Sequence, residues 1–139
     1  MDDAQTRALI DDFYATLALG DRAHLESLLA EDVEWQLPSS VPDNIVRGRG
    51  AVADELGSAT IRRLFRRGTF GMDVLRVLVD GDHAAVQTQT HAVTLAGKPY
   101  EMQYCWVYTC RDGQIAHIRE YLDTLLAARS LDWDLTADG

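Results

Sequence analysis

Long apolar runs are missing from this sequence. None approaches the roughly 20 residues that a membrane-spanning helix requires, so a membrane partner is not expected. The opening stretch, MDDAQTRALIDD, lacks the basic-then-apolar order of a secretory signal, which makes the cytoplasm the expected location. Positive charge is also in short supply: 13 Lys+Arg stand against 22 Asp+Glu, for a formal net charge of −9. Such a surface repels phosphate backbones and anionic lipid, which argues against nucleic acid as a partner. The basic cluster RRLFRR at 62–67 reads instead as the last turn of a helix, where cations complement the dipole.

Cysteine is scarce as well. Cys105 and Cys110 fall on one expected strand an odd number of residues apart, so they point to opposite faces and cannot form a mutual disulfide. Reduced thiols are expected, and neither lies in the basic setting that makes a thiolate nucleophile. Arg-Gly-Arg-Gly at 47–50 lacks the Lys-Ser/Thr of a phosphate loop, and no Gly-x-Ser-x-Gly elbow occurs. Arg47 is expected to anchor the loop it stands in or to pair with Asp43. His24, His83 and His117 fall in a helix turn, a hairpin turn and on an outer sheet face, so no metal site is expected, and no cofactor.

What is present divides into a helical half and a strand half. With 139 residues and 47% hydrophobic content, the chain is long enough for one cored domain over 1–139, with 1–7 and 125–139 expected to be peripheral or partly flexible. Leu9, Ile10, Phe13 and Leu17 follow helical spacing, and Gly20 stops that helix at a left-handed cap. Asp21 is a natural N-cap for a second helix with Leu25, Leu28 and Leu29 on its apolar face. A short strand, VEWQLP, ends at Pro38; PSSVPDNIVRGRG reads as loop and AVADELGSATIRRLF as a glycine-weakened helix. Strands are expected over 70–79, 83–95, 99–110 and 114–122, separated by the hairpin signals VDGDH, LAGKP and RDGQ. The class is α+β, with helices gathered on one face of an antiparallel sheet.

Hairpin geometry then sorts the strand residues by face. A two-residue Ala96-Gly97 turn sets Gln89 opposite Tyr104 and His91 opposite Met102. For the last hairpin, a two-residue Asp112-Gly113 turn sets Glu120 beside Cys105. A three-residue Arg111-Asp112-Gly113 loop sets it beside Tyr104, with Ile118 beside Trp106. Burial of Ile118 and Leu122 favours the second register. One concave surface then carries Gln89, His91, Met102, Tyr104, Trp106, Tyr108, Ile118 and Glu120, an aromatic lining with a few convergent polar groups, as in a ligand pocket. The opposite face carries Thr88, Thr90, Gln103, Cys105, Val107, His117, Arg119 and Tyr121, too apolar a mixture for a free surface, so a homodimer through it is expected.

FYATLALGD, LLAEDVEWQLP, RGRGAV and RDGQIAHIREYLD follow in an order and spacing that resembles the nuclear transport factor two-like superfamily, over roughly residues 8 to 123. The flavour is that of its SnoaL-like branch, which includes ketosteroid isomerase and limonene epoxide hydrolase. The resemblance implies a cone-shaped curved sheet wrapped by N-terminal helices around a pocket, and homodimers paired through the sheet's outer face. It does not carry over the isomerase chemistry: Leu37 stands at the general-base position, Phe13, beside Tyr14, at that of the oxyanion-hole tyrosine, and Trp106 at that of the oxyanion-hole acid. Steroid isomerisation by that mechanism is not expected. The last-strand aspartate of the epoxide hydrolase falls on Glu120, while its partner arginine and aspartate fall near Gln89 and His91.

Glu120 is therefore the leading candidate for acid–base chemistry, since a carboxylate walled by Trp106, Tyr104 and Ile118 has its pKa raised by desolvation. His91 is the candidate partner in a His–carboxylate pair that positions water or takes a proton from a carbon acid. Tyr14, Trp35, Leu37, Gln89, Tyr104, Trp106, Tyr108 and Ile118 are the expected substrate-binding residues. The function these residues suggest is a cofactor-free isomerase, cyclase or hydrolase acting on an apolar metabolite, cyclic ones included, with a non-catalytic ligand-binding or dimerisation module as the alternative.

Overall fold

The structure, a computed structural model, describes residues 1–41 and 43–133. Helix α1 (Asp3–Leu19) starts from a capping box between Asp2 and Gln5 and stops at Gly20, whose φ of 70° is the left-handed cap that only glycine adopts without cost. Leu9, Ile10 and Phe13 are buried along its inner stripe. Asp21 caps α2 (Arg22–Ser27) by accepting from the His24 amide. This helix is shorter than its apolar spacing suggests, and Leu29 already belongs to the first strand.

Strand β1 (Leu29–Gln36) leads to β2 (Ile45–Arg47), a short strand within the segment expected as loop. Arg47 pairs with Glu34 across that hairpin at 3.2 Å, not with Asp43. The expected single helix over 51–65 is interrupted: α3 (Arg49–Asp54) and α4 (Thr60–Leu64) flank a five-residue π-helical segment, Glu55–Ala59, that contains Gly57. Arg62 and Arg63 do occupy the last turn of α4. Strands β3 (Gly71–Asp80), β4 (His83–Val93), β5 (Pro99–Arg111) and β6 (Gln114–Leu122) fall where the sequence places them, to within one or two residues. A short helix, α5 (Thr124–Ser130), capped by Asp123, follows in a region expected to be peripheral.

The six strands form an open sheet in the order β2-β1-β6-β5-β4-β3. All neighbours run antiparallel except β1 and β6, which are parallel, so the sheet is not the purely antiparallel one the hairpin signals suggest. Register shifts at Leu29/Glu34, Val74/Arg76 and Thr109/Cys110 insert extra residues that bend and twist the strands. The helices cover the inner face. There, one apolar cluster gathers α1, α2, β1 and α3 around Phe13, Val33, Val52, Tyr108 and Ile118. A second gathers Phe65, Ala92, Tyr100, Met102 and Ala127.

Two registers depart from expectation. The β4–β5 hairpin closes through three residues, Leu95-Ala96-Gly97, with Thr94 bonded to Lys98 and Gly97 at φ +87°. One residue of slip turns every side chain of β4 over. Thr88 thus faces Tyr104 and Thr90 faces Met102, both buried, while Gln89 and His91 point outward against Gln103 and Glu101. The last hairpin has a two-residue turn, with Asp112 and Gly113 both at positive φ as a type I′ turn requires. A bulge at Ala116 then restores the inward direction, so Glu120 faces in, paired with Trp106 rather than Tyr104, and Ile118 pairs with Tyr108 rather than Trp106.

Candidate functional site

Cross-strand pairing lines up the inner face in rows. Val79, Ala84, Tyr108 and Ile118 form one, with Trp35 of β1 beside Ile118. Val77, Val86, Trp106 and Glu120 form the next, followed by Val74, Thr88, Tyr104 and Leu122. Trp106 packs against the first apolar cluster and Tyr104 against the second, so their rows make the seam between the two. The rings of Tyr104 and Trp106 stack with centroids 5.2 Å apart, and Trp35 lies tilted against Trp106 at 6.0 Å. The Trp106 Nε1–H donates to Thr88 Oγ1 at 3.2 Å.

Glu120 stands in this seam, 7% exposed. Among the described residues it is the sole buried carboxylate, and no hydrogen bond or ion pair reaches it. Water is largely excluded and nothing compensates, so burial alone pushes its pKa up from 4.5 to about 8. At neutral pH most of it is the neutral acid, an O–H donor and a carbonyl acceptor on one group.

Four tyrosines surround the seam in two bonded pairs. The hydroxyls of Tyr14 and Tyr108 lie 2.6 Å apart, and those of Tyr100 and Tyr104 2.7 Å apart. Burial raises the pKa of all four, that of Tyr100 to about 12, and the carboxyl of Glu120 adds repulsion at Tyr100, Tyr104 and Tyr108. All four are therefore neutral donors. In each pair one hydroxyl donates to the other, which leaves one O–H proton per pair for another acceptor.

The expected substrate-binding residues divide accordingly. Tyr14, Trp35, Tyr104, Trp106, Tyr108 and Ile118 all lie on or against the inner face, and Leu37 follows β1 at the place next to Glu120 in the parallel register. Gln89 and His91 do not. His91 sits on the outer face, half exposed, with Nδ1 on Glu101 and Nε2 3.4 Å from Asp73, and cannot pair with Glu120. Thr88 and Tyr100 occupy the seam without having been expected there. The strict alternation of Ala84, Val86, Thr88, Thr90 and Ala92 with polar Gln87, Gln89 and His91 is the signal that marks the even positions as inner.

Two surface clefts of about 600 and 620 Å³ open elsewhere, near the β5–β6 turn and the start of α1. Their walls, which include Glu31, Asp32 and Arg111 in one and Gln5 and Asp12 in the other, do not include Glu120. Arg111 and Asp32 are bonded to each other, and nothing there is both buried and titratable. Glu120, the buried titratable carboxyl, lies in the seam and not in either cleft. Among the described residues no group of histidine, cysteine and carboxylate side chains could hold a metal, and no helix is long and apolar enough to cross a membrane. Cys110 is buried and its thiol pushed up to about 11 by burial; both cysteines are free.

Comparison with known proteins agrees with this architecture. The SnoaL-like domain model matches residues 10–118. An NTF2-like protein from Burkholderia xenovorans LB400 superposes with a TM-score of 0.77 at 25% identity, over 94% of this chain and 98% of that one. TerC, crystallised with polyporic acid, gives 0.78 at 19% identity, over 92% and 98%. A protein assigned as a SnoaL-like polyketide cyclase, from Jannaschia sp. CCS1, gives 0.77 at 18% identity, over 94% of each chain. None of the curated proteins matches the sequence.

Proposed function

The chain belongs to the SnoaL-like domain family, and from that premise we propose that it is a cofactor-free acid–base enzyme acting on an apolar, cyclic metabolite, with Glu120 as the proton-transfer group. One observation carries the reading: a carboxyl buried without any partner among the described residues, at the seam of two apolar clusters and among neutral tyrosines. A buried, unpaired carboxyl lowers stability, so its presence in the seam is best explained by chemistry. Its raised pKa, about 8, suits a group that takes and returns a proton near neutral pH. The likeness to TerC and to the cyclase supports a small-molecule site within this fold.

In the proposed step the carboxylate form of Glu120 removes a proton from a carbon next to a carbonyl. The C–H bond breaks, an O–H bond forms on the carboxyl, and the electron pair moves to the carbonyl oxygen as an enolate. Return of the same proton to another carbon completes an isomerisation; attack of the enolate carbon on a second carbonyl completes a cyclisation, the proton going to the new alkoxide. The tyrosine pairs offer uncharged donors for the transient negative oxygen.

Proton exchange tests this without knowledge of the natural substrate. In D₂O, the protein is expected to speed deuterium incorporation at C1 of 2-tetralone, with a rate that rises with pH to about 8 and levels off above it. Glu120→Gln should abolish the effect. Exchange that the variant retains would reject Glu120 as the base, and binding without any exchange would favour a ligand-binding protein.

A further inference from the structure

Trp35 holds a buried polar atom that none of the described residues uses. Its side chain is 4% exposed, and its Nε1–H is closed to solvent with no acceptor among the described residues. Buried donors are nearly always paired, so an orphan marks either a defect or a place kept for a ligand. The position favours the second. Trp35 pairs with Ile118, two residues before Glu120 on the same face, and its ring leans on Trp106, the cross-strand partner of Glu120. The indole and the carboxyl thus flank one tryptophan, and that tryptophan's own N–H is already committed to Thr88.

The charge pattern narrows the ligand further. Inward-facing positions along β3 to β6, from Met72 and Val74 across to Glu120 and Leu122, carry no lysine, arginine or histidine. A carboxylate or phosphate entering this seam would lose its hydration and meet no cation from these four strands, beside a carboxyl that becomes negative when it works. An uncharged oxygen meets a ready donor instead.

We infer that Trp35 is a substrate-positioning residue whose indole N–H donates to the carbonyl oxygen of a neutral ketone, and that the seam selects such ketones over carboxylates and phosphate esters. This deepens the acid–base reading of Glu120 and rests on the same site. The hydrogen bond fixes which carbon next to the carbonyl is turned toward Glu120 and strengthens as that oxygen gains negative charge.

Binding of three matched compounds tests the inference: 2-tetralone, tetralin (the same rings without oxygen) and 2-naphthoate. The Trp35 indole proton, one of three in the protein, is identified by its loss in Trp35→Phe. In wild-type protein it should shift downfield when 2-tetralone binds and stay in place with tetralin. Trp35→Phe should weaken 2-tetralone binding about tenfold more than it weakens tetralin binding, the value of one hydrogen bond. Naphthoate should bind at least tenfold more weakly than the ketone. An indole proton that does not respond to bound ketone, equal weakening of ketone and tetralin, comparable naphthoate binding, or no ketone binding at millimolar concentration would each overturn the inference. If the indole proton is silent while Glu120-dependent exchange persists, the acid–base reading stands and only this inference falls. The wild-type shift keeps the test decisive even where the variant is unstable.

Discussion

Replacing Glu120 by glutamine keeps the shape and removes the charge, so the stability of the two proteins should diverge with pH in a calculable way. The folded-state pKa lies near 8 against 4.5 for the free side chain, raised by burial. An acid whose pKa is raised on folding destabilises the fold as pH rises, because the unfolded chain releases its proton first. Below pH 4.5 both states are protonated and the cost vanishes. Between 4.5 and about 8 the cost grows by about 1.4 kcal/mol per pH unit, and above that it is constant. It reaches about 3 kcal/mol at pH 7 and about 5 kcal/mol at pH 9, with little screening at 7% exposure. Thermal melting of wild type and Glu120→Gln from pH 4 to 9 reads this directly, because every other titrating group is common to both. Near pH 4 the midpoints should coincide; at pH 7 the variant should melt about 6–12 °C higher, at about 2–4 °C per kcal/mol for a chain of this size. Parallel curves, or a Glu120 carboxyl that titrates near 4.5 by NMR, would refute the burial argument and with it the proposed base.

Three further outcomes follow from other parts of the molecule. Tyr14→Phe leaves the buried Tyr108 hydroxyl without its partner and should cost about 1–2 kcal/mol in chemical denaturation, part of which Tyr14→Phe/Tyr108→Phe recovers; equal loss in both variants would mean the stranded Tyr108 hydroxyl carries no penalty. His91→Ala removes a side chain that faces outward against Glu101 and Asp73, so 2-tetralone exchange should be unchanged, and a loss above threefold would put His91 back in the site. The outer face carries Cys105, Val107, Tyr121 and an Arg119 whose Nε is buried without a partner among the described residues, so a homodimer with an interface above about 1,000 Å² is expected. Light scattering that finds a monomer at tens of micromolar would dismiss it.

Most of the fold was legible because its local signals agree with one another. Asp2, Gly20 and Asp21 punctuate the helices, and Gly81, Gly97 and Gly113 punctuate the hairpins, all three at positive φ. What could not be read locally was pairing. Strand β2 has three residues and exists because β1 needs a partner on its free edge; its parallel neighbour β6 lies some 80 residues away in sequence. The candidate site was legible in its aromatic half, since Tyr104, Trp106 and Tyr108 alternate on one strand that the core claims. The polar half was not, because at His91 the turn length and the pattern of β4 point to opposite registers. The side chains of β4 decide between them: Ala84, Val86 and Ala92 share one face, and Gln87, Gln89 and His91 the other. Burial of an entire face outweighs the preference between two hairpin loops.

The same rule explains why Glu120 faces inward although its turn is not the expected one. Ile115 and Ile118 are both wholly buried, yet they are three residues apart and cannot share a face of a regular strand. A single extra residue between them resolves the conflict, and Ala116 is that residue, unpaired between the Ile115–Cys110 and His117–Thr109 pairs. The direction of Glu120 is thus set by the isoleucines through the bulge and not by the loop at Asp112-Gly113. Deleting Ala116 tests this, because the shortened strand would alternate regularly with Ile115, Ile118 and Glu120 still inward. The deletion variant should fold, lose part of the bend of β6, and keep a Glu120 titration near 8. Deleting Arg119 instead leaves Ile115 and Ile118 in place and turns Glu120 outward, where it should titrate near 4.5. If both deletions released Glu120 to the ordinary carboxylate range, the bulge itself, not the burial of the isoleucines, would be what holds the carboxyl in the seam.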